Sequence, residues 1–292
     1  MTRQSRYREL RRFVGVGRVL SEGLAKALRV FENPKFMATR SKEGEPNIAL
    51  VMTWTVFKDD TLIYGDFMTY KTRQNIEEDH RMSLLVMTMG LDSWHVKADF
   101  EGFHRADEHY EFIAMTPLFR YNQYTNARAA GVAQAVWASD NFRIGKLSVL
   151  TAYLKSKRSR KRVPEISTSE GNMPRNVVER FNKMDTVKVV AFVNHDGYPH
   201  AFPALGMVAA SQNTLVFNRN EEKRRGYSLS DGQRVAVSLV TMEPQVFQVK
   251  GTFRELDDTT GYVLVDRAYV CSLPKPGERV DVPMLRRVET PL

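Results

Sequence analysis

The residues best suited to chemistry lie in one run, Gly65-Asp66-Phe67-Met68-Thr69-Tyr70-Lys71-Thr72-Arg73-Gln74-Asn75. An apolar strand pattern ends at Gly65, and a helical pattern follows over Thr72–Asp79. Lys71, Thr72 and Arg73 thus fall where a helix start leaves backbone N–H groups free, a setting that suits a phosphate. Lysine offers a compact charge, arginine a two-pronged donor and threonine a hydroxyl. The same residues equally suit a plain capped helix with surface cations, so the run alone leaves both readings open.

A second strip precedes it. Val51-Met52-Thr53-Trp54-Thr55 sets a tryptophan between two hydroxyls. Strand alternation puts Thr53 and Thr55 on one face and Trp54 on the other. Such a strand can give polar contacts to the edge of a heterocycle while its backbone approaches the ring.

Other chemistry-bearing side chains each carry two readings. His95, beside Trp94, is a proton donor near a bound ring or an ordinary part-buried histidine. Arg120, Tyr121 and Tyr124, in the stretch Phe119–Tyr124, suit a substrate pocket or a loop packed over a barrel end. His195 and His200 flank a turn, and neither they nor His95 form a pair at helical metal-site spacing, so no metal is assigned. The single cysteine, Cys271, excludes an internal disulfide framework and a cysteine zinc cluster. Nucleophile-elbow, P-loop and dinucleotide glycine motifs are missing, and no residue is assigned as catalytic acid, base or nucleophile.

The elements that must position these residues occur twice. GEPNIALVMTWTVFKDDTLIYGDFMTYKTRQNIEEDHRMSLLVM begins at Gly44, and GYPHAFPALGMVAASQNTLVFNRNEEKRRGYSLSDGQRVAVSLVTM begins at Gly197. Gly44 to Leu62 spans 18 positions, as does Gly197 to Leu215; Leu62 to Arg81 spans 19, as does Leu215 to Arg234. Each copy reads as a Gly-x-Pro turn between strands, then a Thr-Leu strand, a basic segment and an Arg-led strand. In the first copy, Asn47–Phe57 is expected as one strand, Met82–Met87 and His95–Gly102 as further strands, and Asp107–Met115 as a helix. Arg128–Trp137 reads as a closing strand, although its alanines also suit a helix. Residues 5–32 predict two helices broken at Gly15 and Gly17, and Leu147–Lys157 and the segment from Pro174 to Phe181 predict two more.

Many short strands favour a small barrel or sandwich over a parallel sheet. The expected division is a helical arm over 1–33, a first barrel over 34–138, a basic connector over 139–173 and a second barrel over 174–292. Two copies in one chain suggest a fused dimer, with any site between the copies doubled or made asymmetric.

The net charge of +9 looks like a nucleic-acid signal until it is located. Residues 1–30 carry eight Lys/Arg and two Glu, and residues 139–173 carry eight Lys/Arg and three acids. The repeated modules are therefore close to neutral. The run Lys157–Arg162 reads as a solvated linker rather than a phosphate-binding patch. An Arg-rich N-terminus without an apolar stretch does not read as a secretory signal, no run is long enough to span a membrane, and the cytoplasm is expected.

The combination Gly-x-Pro-Asn, Thr-Trp-Thr, Thr-Leu-Ile-Tyr and Lys-Thr-x-x-Asn resembles the FMN-binding split β-barrel of the pyridoxamine 5′-phosphate oxidase-like superfamily. The resemblance covers about 34–138 well and 174–272 less well. It implies a mainly β (α+β) fold of two tandem split β-barrels. It implies FMN phosphate on Lys71 and Thr72, and the isoalloxazine and ribityl chain along Thr53, Trp54 and Thr55. Asp66 and Phe67 fall where the family's loop backbone passes the ring, Asn75 matches the motif's final position, and Arg73 is included on charge and position. Thr55 stands where small members carry Asn. In the second copy Pro203–Met207 lacks the hydroxyls, while Lys223 and Arg224 keep cations for a second phosphate. One flavin per chain is expected.

The resemblance implies an FMN-dependent oxidoreductase moving hydride or electrons between a small organic substrate and O2 or a reduced donor. Its alternatives are a non-catalytic flavin-binding or electron-transfer protein, and a split barrel holding deazaflavin F420 or haem. A different class, a nucleic-acid-interacting protein acting through the basic arm, ranks last. The chain is expected as a monomer with an internal pseudo-dimer or as a homodimer.

Overall fold

Short apolar runs punctuated by turns build the same sheet twice. The computed structural model describes residues 18–67, 69–121, 127–164, 172–243, 245–272 and 277–280. The expected first helix of the arm lies outside these residues.

In the first half the strands are β1 (Lys35–Arg40), β2 (Pro46–Leu50), β3 (Thr55–Lys58), β4 (Thr61–Gly65), β5 (Arg81–Met87), β6 (Asp92–His104) and β7 (Ala130–Ala138), with the two-residue β8 (Phe142–Arg143) beside β6. The helices are α1 (Glu22–Arg29), α2 (Tyr70–Glu78), α3 (Glu108–Ala114) and α4 (Pro117–Tyr121). Helix α5 (Lys146–Ser159) leads to α6 (Arg175–Phe181), then β9 (Val187–Val193), β10 (Pro199–Pro203), β11 (Val208–Ala209) and β12 (Thr214–Asn218). Helix α7 (Asn220–Arg224), β13 (Arg234–Val240), β14 (Val246–Asp257) and β15 (Thr260–Val270) complete the second half.

The antiparallel strand orders coincide: β2-β1-β5-β6-β7-β4-β3 and β10-β9-β13-β14-β15-β12-β11. Register coincides too. Thr39 opposes Asn47 as Phe192 opposes His200, and Leu85 opposes His95 as Ser238 opposes Gln248. The turns between β1 and β2 and between β9 and β10 each need a left-handed residue, supplied by Gly44 (φ 84°) and Gly197 (φ 80°).

Each sheet curls around its own apolar interior. Met37, Leu62, Leu84, Val96 and Ala133 meet inside the first, and Val190, Phe217, Val237, Phe253 and Val263 inside the second. Helix α1 plugs the first interior with Leu24 and Leu28; Ser21 caps it by accepting from the Leu24 N–H at 3.3 Å. Helix α6 does the same in the second with Val177 and Phe181.

A third cluster joins the barrels. Phe36, Ala38, Ile48 and Leu85 of the first pack against Val189, Ala191, Ala201 and Ala236 of the second. Fully burying each large apolar side chain contributes roughly 1.5–3 kcal/mol, so this seam is a substantial part of the fold. No helix among the described residues is long and apolar enough to cross a membrane.

Two expectations change. The strand expected over 47–57 is two, because the chain turns at Val51–Trp54 to leave β1 and join β4. Buried Lys35 fixes that turn by donating to the Met52 carbonyl at 3.2 Å, and Lys188 repeats the contact on Leu205. The alternation argument for Thr53, Trp54 and Thr55 therefore fails, since it requires continuous pleat. In the connector the expected helix is present as α5, which buries Ser156 and Ser159, while Lys157, Arg158, Lys161 and Arg162 are exposed and Arg162 pairs with Asp257 at 2.8 Å.

The barrels differ most between β6 and β7. There the first inserts α3 and α4, where the second has only the turn Asp258–Thr259.

Candidate functional site between the barrels

The start of α2 lies against the second barrel. Thr72 is buried, and its Oγ1 accepts from Asn47 Nδ2 at 3.1 Å. Asn47 Oδ1 in turn accepts from Gln248 Nε2 of β14 at 3.2 Å. Asn75 donates to Thr39 Oγ1 at 3.1 Å, tying the helix to β1. Lys71 stays exposed, with its Nζ 5.5 Å from the ring centre of Tyr269 on β15.

Beside Lys71 stands Lys250, wholly buried, donating to the Pro46 carbonyl at 2.6 Å and lying 3.9 Å from Glu45. Burial first, then the ammonium of Lys71, push Lys250 down to about 7, with Glu45 offsetting only part. Glu45 also binds Arg234 at 2.9 Å and Arg267 at 2.6 Å. Burial acts to raise its carboxyl, but the Arg234 hydrogen bond and the charges of Lys250, Arg234 and Arg267 outweigh it and hold it below the usual range. Two ammonium groups facing each other across a barrel seam form an unfavourable pair that an anion between them relieves. The residues present therefore fit a phosphate group.

Asp66 and Arg73 are committed locally. The buried Asp66 carboxylate accepts from Thr69, from Arg73 at 2.6 Å and from Arg128 at 3.3 Å. Arg73 also pairs with Glu77 at 3.1 Å and stacks 3.9 Å over Phe103. Together they shape the loop into α2. Phe67 packs against the apolar cluster that contains Ile63, Ile113, Phe119 and Val132. Thr53 Oγ1 donates to the Gly65 carbonyl at 3.2 Å, binding the turn to the same loop. Trp54 is 1 % exposed, with its ring 4.4 Å from that of Tyr64 in the core and its Nε1 unpartnered. Thr55 opens β3 opposite Ile63.

The equivalent place on the other side of the seam is filled differently. His200, Arg225 and His95 stand where Asn47, Thr72 and Gln248 stand in the first site. His95 and His200 stack at 4.7 Å, with Tyr227 5.0 Å from His200. Arg225 donates to Ser93 Oγ at 2.8 Å, while its Nε and Nη1 and all four imidazole nitrogens make no hydrogen bond; His200 Nε2 lies 3.6 Å from the Asp196 carboxylate. Burial, then the charge of Lys97, lowers His200 to about 4 against a partial offset from Asp196, and burial holds His95 well below the usual histidine range. Lys223 and Arg224 are exposed on α7, and Arg224 pairs with Glu221 at 3.0 Å.

Helix α5 lies over the second strip. A Cβ on Gly206, the counterpart of Thr53, would come within 2.6 Å of the Tyr153 nitrogen and 2.8 Å of the Ala152 methyl. The space left among Ser148, Ala152, Leu205 and Gly206 is about 20 Å³, enough for one water.

His95, Arg120 and Tyr121 do not form one pocket. His95 is buried in the seam, whereas Tyr121, 78 % exposed, lies with Arg120 on α4. Tyr124 lies outside the described residues. Sequence reading missed Glu45, Asn47, Gln248 and Lys250 as site residues. The available signal was a lysine at the same mid-strand position of both copies, Lys97 and Lys250.

Repeated strand order, repeated register and one curled interior per half settle the architecture. Each half is a split β-barrel.

The solved structures similar to these split barrels include HupZ of Group A Streptococcus, at 19 % identity over 43 % of this chain and 95 % of that one, TM-score 0.36. An FMN-binding protein from Syntrophomonas wolfei matches at 18 % identity over 49 % of this chain and 96 % of its own, TM-score 0.35. An F420 reductase matches at 14 % identity over 41 % and 98 %, TM-score 0.32. The likeness is one of fold. No family model matches the chain, and no curated protein matches it.

Proposed function

We propose that this chain is a flavoprotein of the pyridoxamine 5′-phosphate oxidase-like superfamily, binding one FMN between its two split barrels. The observation that carries the reading is the pair Lys71 and Lys250, two ammonium groups from different barrels set around one point. Lys71 and the helix start at Thr72 hold the phosphate from one side, and Lys250 from the other. The turn Met52–Thr55 passes the ring through its backbone and the Thr53 and Thr55 side chains, while Trp54 holds the turn from within the core.

The asymmetry of the seam supports a single site. The second copy's strip lies beneath α5, and its seam position is filled by His95, His200 and Arg225. The division into an arm (1–33), a binding barrel (34–138), a connector (139–173) and a walling barrel (174–292) follows from the same reading.

Bound FMN supplies hydride or electron transfer, and the reaction class is oxidoreduction of a small organic substrate with O2 or a reduced donor. The chain's own residues anchor the phosphate, orient the ring and keep one face dry. Cellular location follows as cytoplasmic under this reading.

The test is an absorption spectrum of the purified full chain, with released cofactor quantified by mass spectrometry. About one FMN per chain supports the reading. Two per chain would mean that α5 moves off the second strip. A deazaflavin or haem spectrum, or no flavin after FMN is added, overturns it.

A further inference from the structure

The insertion between β6 and β7 carries a second cluster that the seam does not use. We propose that His104, Asp107 and His109 bind one divalent first-row transition-metal ion, which pins the insertion to the end of β6. His104 is the last residue of β6, Asp107 precedes α3 and His109 lies in its first turn.

The three side chains converge. Both imidazoles present Nδ1 to the same carboxylate oxygen: His104 Nδ1 contacts Asp107 Oδ2, and His109 Nδ1 lies 3.4 Å from it. The rings are 4.5 Å apart, and all three ligand atoms lie within 4.8 Å of one another. A tetrahedral ion with bonds of about 2.0–2.1 Å holds its ligand atoms about 3.3 Å apart, so the observed spread closes on an ion by small side-chain rotations.

The surroundings orient the ligands. Asp107 Oδ1 is engaged by the backbone N–H groups of His109 at 3.1 Å and Tyr110 at 3.3 Å, which aims Oδ2 at the imidazoles. Phe57 of β3 packs 4.7 Å from the His109 ring and edge-on to Phe112 at 5.2 Å, fixing that ring's plane. Held partners of this kind are what a metal's direct ligands need to keep their geometry.

Ligand chemistry sets the metal class. Two imidazoles and one carboxylate suit zinc, cobalt, nickel or ferrous iron, not the all-oxygen shells of calcium and magnesium. His104 and Asp107 remain 31 % and 44 % exposed, which leaves the ion a face open to water. The connection has no counterpart in the second barrel, where two residues make the turn.

The test is a Co2+ titration of the tag-free, EDTA-dialysed full chain, followed in the visible ligand-field bands, with Zn2+ as competitor and thermal unfolding as a second readout. One Co2+ per chain is expected, displaced by Zn2+, with a melting temperature several degrees higher when loaded. Asp107→Asn keeps a good helix cap but loses the charged ligand, so it folds as the parent does and binds at least about tenfold more weakly. His104→Ala with His109→Ala abolishes the bands. No bands in the parent chain, or equal binding by the parent and both variants, overturns the proposal.

Discussion

Lys71 and Lys250 come from different barrels and meet at the seam, where the burial of Lys250 and then the exposed ammonium of Lys71 lower Lys250 to about 7. A ligand that brings negative charge to that place recovers what the apo protein loses to repulsion. Under the proposed function this cross-barrel pair requires both halves of the chain, since neither barrel alone supplies both groups.

Removing the helix-side half of the pair tests the anchor. Lys71→Ala with Thr72→Ala is expected to lower FMN affinity at least about tenfold, or about 1.4 kcal/mol. Flavin fluorescence titration measures it. Unchanged affinity would move the phosphate elsewhere, first to Lys223 and Arg224.

Lys250→Met tests the other half and predicts a pH dependence. Protonated Lys250 favours an anion, so in the parent chain FMN affinity falls as pH rises through about 7, and in the variant this component is absent. Apo stability moves the opposite way. Folded Lys250 releases its proton near 7 and the unfolded lysine only near 10.5, so the unfolded chain holds more protons between these values and parent stability rises with pH there. Urea melts at pH 7 and 9 should show a smaller rise for the variant.

The His95–His200 stack predicts acid sensitivity. His200 takes up its proton near 4 when folded and near 6.5 when unfolded, so stability is complete above about 6.5 and falls as pH drops toward 4. The loss from His200 is on the order of 3 kcal/mol, before any relaxation. Copying the first site into the second, as His95→Gln with His200→Asn, should flatten this fall. Identical denaturation midpoints for parent and variant at pH 7.5 and 4.5 would refute the assignment.

Gly206→Ala probes how firmly α5 covers the second strip. The new methyl meets backbone atoms of Ala152 and Tyr153 at 2.6–2.7 Å, which cannot rotate away. The expected cost is about 1–3 kcal/mol in chemical denaturation. A stability equal to the parent's would mean that α5 is loosely held.

Sequence alone determined the repeat, because alternating apolar runs, Gly-x-Pro turns and constant spacing encode strands and their register locally. It also marked Lys71 and Thr72, whose helix-start position follows from short-range pattern. Element limits came close where periodicity was strong, as for β5, α3 and β7. The break at Val51–Trp54 was invisible, since it depends on Lys35, distant in sequence, binding the Met52 carbonyl.

Only tertiary structure decided what the two copies do to each other. Lys250 reaches Lys71, and His95 reaches His200, across gaps in sequence that no local pattern records. The same holds for α5, whose placement on Gly206 depends on a glycine with no side chain to keep a helix away. His104, Asp107 and His109 share no helix face, and they converge because a strand end and a helix start meet at one turn. Local patterns set which backbone segments form; long-range packing sets which side chains share a point in space, and chemistry depends on the second.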